Sequence, residues 1–266
     1  MNRLLAYSPN LKQSWMLLVI YIACLIPSHF ASLIIRHTGA ATTEWAELWG
    51  TILSFAFLVL IVVRLGKNDN YISTATLNPS PVIWFLLALF TVLINQAMTP
   101  LIAWIPKPDL IKRIMTEASQ NNLTTFLGIV IIAPVCEEWL CRGIILKGLL
   151  TRYSPLKSIL WSTIIFSVLH INPSQVVSAF FFGLAFGWIY WRTRALWHCI
   201  FMHTVNNAFV FLLMILFPDF PGNVTIADVT GINYIYIYTA VLFTGVLSWI
   251  GIKRIISSDT KRIKEL

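Results

Sequence analysis

The sequence predicts an all-α, polytopic membrane protein with about eight transmembrane helices and both termini in the cytoplasm. Three observations carry this. The chain is 58% hydrophobic and only 11% charged, whereas a soluble domain carries about 25% charged residues. Eight apolar segments each approach the roughly 20 residues a helix needs to cross a bilayer. None shows the alternating pattern of membrane strands, and in lipid every backbone donor needs a partner within its own segment, so the spans are helices.

The segments are taken in order. Residues 14–35 follow Arg3 and Lys12 and superficially resemble a signal sequence. The apolar stretch is too long for one and lacks a small-residue cleavage site, so an uncleaved first span is expected. Residues 47–63 and 81–104 are generic apolar spans. Between the third and fourth, residues 109–119 are amphipathic and are expected to lie as a helix along the outer interface. The fourth span, 123–150, is the only one with acids at its centre, and the fifth, 156–171, is the shortest. The sixth, 174–191, carries Ala179, Gly183 and Gly187 at i, i+4 and i+8, a small-residue stripe that lets a neighbouring helix approach closely. The seventh and eighth are 195–217 and 232–252. The loops leave no room for a soluble domain, so residues 1–266 read as one integral membrane domain.

Basic residues set the orientation. Placing the N-terminus inside puts Arg3, Lys12, Arg64, Lys67, Lys147, Arg152, Lys157, Arg192, Arg194, Lys253, Arg254, Lys261, Arg262 and Lys264 on the inner side. Only Arg36, Lys107, Lys112 and Arg113 fall outside, and the outer loop around Asp219 and Asp228 has no basic residue. This bias follows the positive-inside rule. It also explains the formal net charge of +8 through contacts with anionic lipid, without nucleic acid. Cys24, Cys136, Cys141 and Cys199 all lie in apolar runs without paired spacing and read as buried thiols. The C-terminal residues lack a prenylation cysteine, and there is no internal repeat of the kind transporters show.

Chemistry enters with Glu137, Glu138 and Arg142 in the fourth span. These acids are the only carboxylates that no placement of the spans puts outside the membrane. A charge at mid-bilayer costs about 2.5–3.5 kcal/mol on insertion scales, so such residues are paired, face the protein interior and serve function. Glu138 and Arg142, at i and i+4, share a helix face and can pair. Glu137 is turned by about 100° from Glu138, so it points elsewhere and suits general-base work on water. The plain structural alternative is a buried ion pair beside an acid lining a wet cavity. His170 ends the fifth span with Phe166 one turn away on the same face. The turn after it is short and uncharged, so its tip is expected to stay below the outer surface and keep His170 buried. His203 lies mid-span with Asn207 at i+4, and Asn206 is close enough in angle to replace Asn207. Either histidine alone would read as a helix-to-helix hydrogen bond, but three polar clusters on neighbouring spans favour a site. His198 is expected at the inner interface, and His29 and His37 have no assigned role.

Glu-Glu-x-x-x-Arg on one span, Phe-x-x-x-His on the next and His-x-x-x-Asn two spans later resembles the CAAX-protease and bacteriocin-processing family. These CPBP or ABI-family intramembrane proteases include the Ras-converting CAAX endopeptidase. The resemblance covers about 123–217 as a catalytic core, with 1–122 forming generic N-terminal spans and the interfacial helix. It implies that Glu137 activates water together with His170, and that His203 and Asn207 stabilise the oxyanion. It further implies that Glu138 and Arg142 orient the site and that Phe166 packs beneath His170. Metal use stays open. Glu137, His170 and His203 could form a zinc site with two histidines, one carboxylate and an open position, but the H-E-x-x-H zinc signature is absent, and metal-free activation by glutamate is the preferred version.

The expected activity is therefore hydrolysis of a peptide bond in a membrane-associated peptide or protein, of CAAX or of leader and bacteriocin type. Two other classes compete: a proton-coupled transporter using the acids and histidines as a relay, and a non-catalytic bacteriocin immunity protein. The expected location is a bacterial inner membrane; no feature reads on oligomeric state.

Overall fold

The computed structural model describes residues 7–37, 43–65, 80–106, 123–170, 172–217, 231 and 234–264. Among them every regular element is helical, as the composition requires. In chain order these are α1 (Leu11–His37), α2 (Thr43–Leu65), α3 (Pro81–Ala103), α4 (123–150), α5 (Pro155–Val168), α6 (Pro173–Thr193), α7 (Leu196–Leu216) and α8 (Tyr234–Lys264). The expected interfacial helix at 109–119 and the outer loop around Asp219 and Asp228 lie outside the described residues, as do the side chains of His29 and His37.

Five helices among the described residues are long and apolar enough to cross a membrane, in α2, α3, α6, α7 and α8. The chain is a multi-pass membrane protein. The remaining three expected spans differ for identifiable reasons. In α1 the qualifying apolar stretch is the shorter Leu11–Pro27, and the helix continues through Pro27 to His37. Helix α5 has only 14 residues, as its short apolar run suggests. Helix α4 is interrupted: wide π-helical segments at Leu127–Ile132 and Trp139–Leu146 alternate with α-helical turns.

Local chemistry explains several boundaries. Asn10 and Gln13 cap α1 reciprocally. The Asn10 side chain accepts from the Gln13 amide at 3.0 Å, and Gln13 accepts from the Asn10 amide at 2.8 Å, so two orphan donors at the helix start are satisfied. Helix α6 opens with Asn172, whose Oδ1 accepts from the Ser174 amide at 3.1 Å, followed by Pro173 at a position that needs no amide hydrogen. Its end is marked by Arg194 in the left-handed region (φ 55°). In α4, Pro134 lies two residues beyond the end of the first wide segment. A proline lacks the donor and crowds the carbonyl four residues back, and widening the preceding turn accommodates both defects.

By contacts the chain divides into two compact units, each built from two stretches of sequence. Unit 1 (Met1–Ser73, Asn121–Leu169) holds α1, α2, α4 and α5. Its core includes Leu17, Leu58, Leu140, Ile144 and Leu149, all fully buried. Ser54 of α2 donates to the Cys24 carbonyl of α1 at 2.6 Å, and Phe55 meets Trp139 of α4 edge-on at 5.2 Å. Unit 2 (Thr74–Gln120, His170–Leu266) holds α3, α6, α7 and α8. There α3 packs against the other three helices and α6 against α7. Aromatic rings fill the unit: Trp249 lies 5.2 Å from Phe90 and 4.4 Å from Trp188, and Trp84 lies 4.8 Å from Phe201. The small-residue stripe of α6 is buried along its length at Ala179, Gly183 and Gly187.

Candidate active site

In unit 1 the arginine and the second acid form the expected pair. Arg142 donates from its Nη1 to Glu138 Oε1 at 2.8 Å, and both side chains are wholly buried. The sequence spacing put them on one α-helical face. The structure places Arg142 in the wide segment Trp139–Leu146, just after Glu138 ends an α-helical turn. Such π-helical turns recur at functional sites, where they re-aim side chains. The backbone there is held from outside: Ser162 of α5 donates to the Cys141 carbonyl at 3.0 Å.

Phe166 completes this cluster in a way the sequence did not show. Its ring lies under the Arg142 guanidinium, 4.2 Å from carbon to ring centroid, and it is 2% exposed. A desolvated guanidinium over an aromatic face gains about 2 kcal/mol, so the ring and Glu138 together compensate the buried cation. Glu137, one residue from Glu138, is only half-buried. The two adjacent acids therefore sit in different surroundings, as their angular separation requires.

In unit 2, His203 on α7 is buried at 6% exposure, with its ring 5.9 Å from that of Phe186 on α6. Asn207, one turn along, takes part in a chain of side-chain amides. Asn206 donates from Nδ2 to Asn207 Oδ1 at 3.1 Å, and Asn95 of α3 donates from Nδ2 to Asn206 Oδ1 at 2.8 Å. Gln96 approaches Asn95 Oδ1 at 3.4 Å. Asn95 and Gln96 were missed from the sequence, although two neighbouring amides in an otherwise apolar span are an available signal. His170 is half-buried and stands two residues before the Asn172 cap; Ile171 in that turn is outside the described residues. His198, in the first turn of α7, is 3% exposed and packs against Trp84 at 4.9 Å between rings.

Unit 1 thus carries Glu137, Glu138, Arg142 and Phe166, and unit 2 carries His170, His203 and Asn207. Among the described residues no three His, Cys, Asp or Glu side chains gather as a metal-holding group, and neither unit by itself contains the set Glu137, His170 and His203.

Comparison with known proteins adds the deciding observation. Residues 119–209 match the family described as type II CAAX prenyl endopeptidase Rce1-like. The chain carries an Rce1-like segment. That segment encloses all seven candidate residues, from Glu137 to Asn207, and bears out the resemblance read from the motifs. The chain is also similar to the Bacillus subtilis protein named "Putative membrane peptidase YdiL", with 22% identity over 226 residues, covering 77% of this chain and 90% of that protein. No solved structure matches the chain. The matched family is described by a prenyl endopeptidase and the Bacillus subtilis relative is named for a membrane peptidase, so both comparisons point to proteolysis at a membrane.

Proposed function

We propose that the chain is an intramembrane endopeptidase that cleaves a peptide bond in a membrane-associated protein or peptide. The observation that carries this is the Rce1-like match over 119–209, whose boundaries include the carboxylate, both imidazoles and the asparagine the chemistry needs.

Each residue has a role. Glu137 takes a proton from the attacking water, and His170 holds that water for attack on the scissile carbonyl. His203 and Asn207 donate to the oxygen that becomes negative as the tetrahedral intermediate forms; such preorganised donors are worth about 10²–10³ each in kcat. The proton held by Glu137 then passes to the departing amine as the carbon–nitrogen bond breaks. Support for giving the base role to Glu137 comes from its neighbour: Glu138 is committed to Arg142 at 2.8 Å in a fully buried pair, an orienting part. These steps use only the chain's own side chains. The transporter and immunity-protein readings gain nothing from the comparisons.

The test uses wild type, Glu137→Gln and His203→Ala reconstituted in lipid vesicles with fluorogenic prenylated and unprenylated peptides. Wild type is expected to cleave, and Glu137→Gln to lose several orders of magnitude while remaining folded. Full activity in Glu137→Gln ends the proposal. Preference between the two peptides reads the substrate class, and cleavage with and without a strong chelator reads whether a divalent metal takes part.

A further inference from the structure

The amide chain in unit 2 has a direction. Asn95 donates to Asn206 at 2.8 Å, and Asn206 donates to Asn207 at 3.1 Å. A carboxamide has its carbonyl and its NH2 on opposite sides, so each link fixes the rotation of the next. Because Asn206 gives its NH2 to Asn207 Oδ1, the Asn207 NH2 is turned the other way. Only in that rotation can Asn207 present donors to a developing negative charge; the reverse would aim a carbonyl oxygen at it.

Asn206 alone could not settle this, since its amide can flip and offer either end. Its rotation in this structure is matched by Asn95, on the separate helix α3, which donates to Asn206 Oδ1. The Asn95 carbonyl faces Gln96 Nε2 at 3.4 Å, and Gln96 is buried at 3% exposure. The backbone carbonyl of Asn95 also accepts from Thr99 Oγ1 at 3.2 Å, which ties the neighbouring turn together.

We propose that Asn95 is a positioning residue, which through Asn206 holds the Asn207 amide in the donor-outward rotation that oxyanion stabilisation requires. This rests on the endopeptidase reading above and deepens it. The competing role is simple glue between α3 and α7. The two roles separate at one substitution. Asn95→Asp keeps an interhelical hydrogen bond but reverses its polarity: the carboxylate accepts from Asn206 Nδ2, Asn206 turns its carbonyl toward Asn207, and Asn207 flips. Asn95→Leu removes the link without imposing the wrong rotation.

The experiment measures kcat and KM in vesicles for wild type, Asn95→Leu, Asn95→Asp and Glu137→Gln, with thermal unfolding of each in detergent. The expected order of kcat is wild type, then Asn95→Leu lower by about 10-fold, then Asn95→Asp lower by about 100-fold, approaching the loss of an oxyanion donor. KM should stay within about twofold, because the effect belongs to the transition state. If wild type cleaves, Glu137→Gln does not, and folded Asn95→Leu keeps the wild-type kcat, the positioning role is refuted while the endopeptidase reading stands. Should Asn95→Asp fail to fold, Asn95→Leu decides alone by the same criterion. Absence of cleavage by wild type overturns both.

Discussion

Replacing Arg142 by methionine tests the site's internal logic most directly. Arg142 and Glu138 are both fully buried, 2.8 Å apart, and the guanidinium also sits 4.2 Å above the Phe166 ring. Methionine keeps much of the volume but removes the charge. Opposite charges with centres about 4 Å apart attract by about 4 kcal/mol at an effective dielectric near 20. Breaking a buried pair from one side costs about 3–5 kcal/mol, because the remaining charge is left without compensation. Loss of the cation–ring contact adds up to about 2 kcal/mol. The expected destabilisation is therefore about 3–7 kcal/mol, large for one substitution. The double variant Glu138→Leu/Arg142→Met removes both charges and should recover most of that loss, to within about 2 kcal/mol of wild type, since apolar replacement of buried pairs is often near neutral. The assay is equilibrium unfolding in mixed micelles followed by tryptophan fluorescence, arranged as a double-mutant cycle. A single-variant loss below about 1 kcal/mol, or a double variant no better than the single, would show that the pair does not hold this cluster together.

Further outcomes follow from other positions. His203→Ala should lower kcat by about 10²–10³ as an oxyanion donor is lost, with unfolding in detergent near wild type; an unchanged kcat argues against that role. A Cβ added at Gly148 would come within 2.5–2.7 Å of Pro9, including its backbone nitrogen and oxygen, so Gly148→Ala should destabilise by about 1–3 kcal/mol, read from denaturant unfolding. Asn172→Ala removes the α6 cap and should cost about 1 kcal/mol, seen as a lower melting temperature with no change in cleavage products. Ser162→Ala loses the bond to the Cys141 carbonyl at 3.0 Å and should cost about 1–3 kcal/mol for the acceptor left buried; a neutral result would mean that the wide turn in α4 needs no brace from α5.

Much was legible in the chain because the bilayer narrows the choices. Composition and run length alone gave helices and a multi-pass protein, since lipid offers the backbone no hydrogen bonds. The boundaries were read less well. The first helix begins at Leu11 because Asn10 and Gln13 cap each other, a polar signal lying ahead of the apolar run. Within the site, the Glu138–Arg142 pair was readable because it is local, four residues apart on one rod. The partnership of Arg142 with Phe166 was not, because spacing along one helix says nothing about which ring from α5 lies under a guanidinium on α4.

The sequence by itself therefore determined the helical class, the membrane setting and the inventory of acids, histidines and amides, all properties of composition and short periods. Tertiary structure alone decided which of those groups compensate one another: Phe166 with Arg142, and Asn95 with Asn206 across 111 positions of chain. The physical reason is that a buried polar group in an apolar surrounding must find a partner wherever the fold brings one, and the choice depends on how the helices pack.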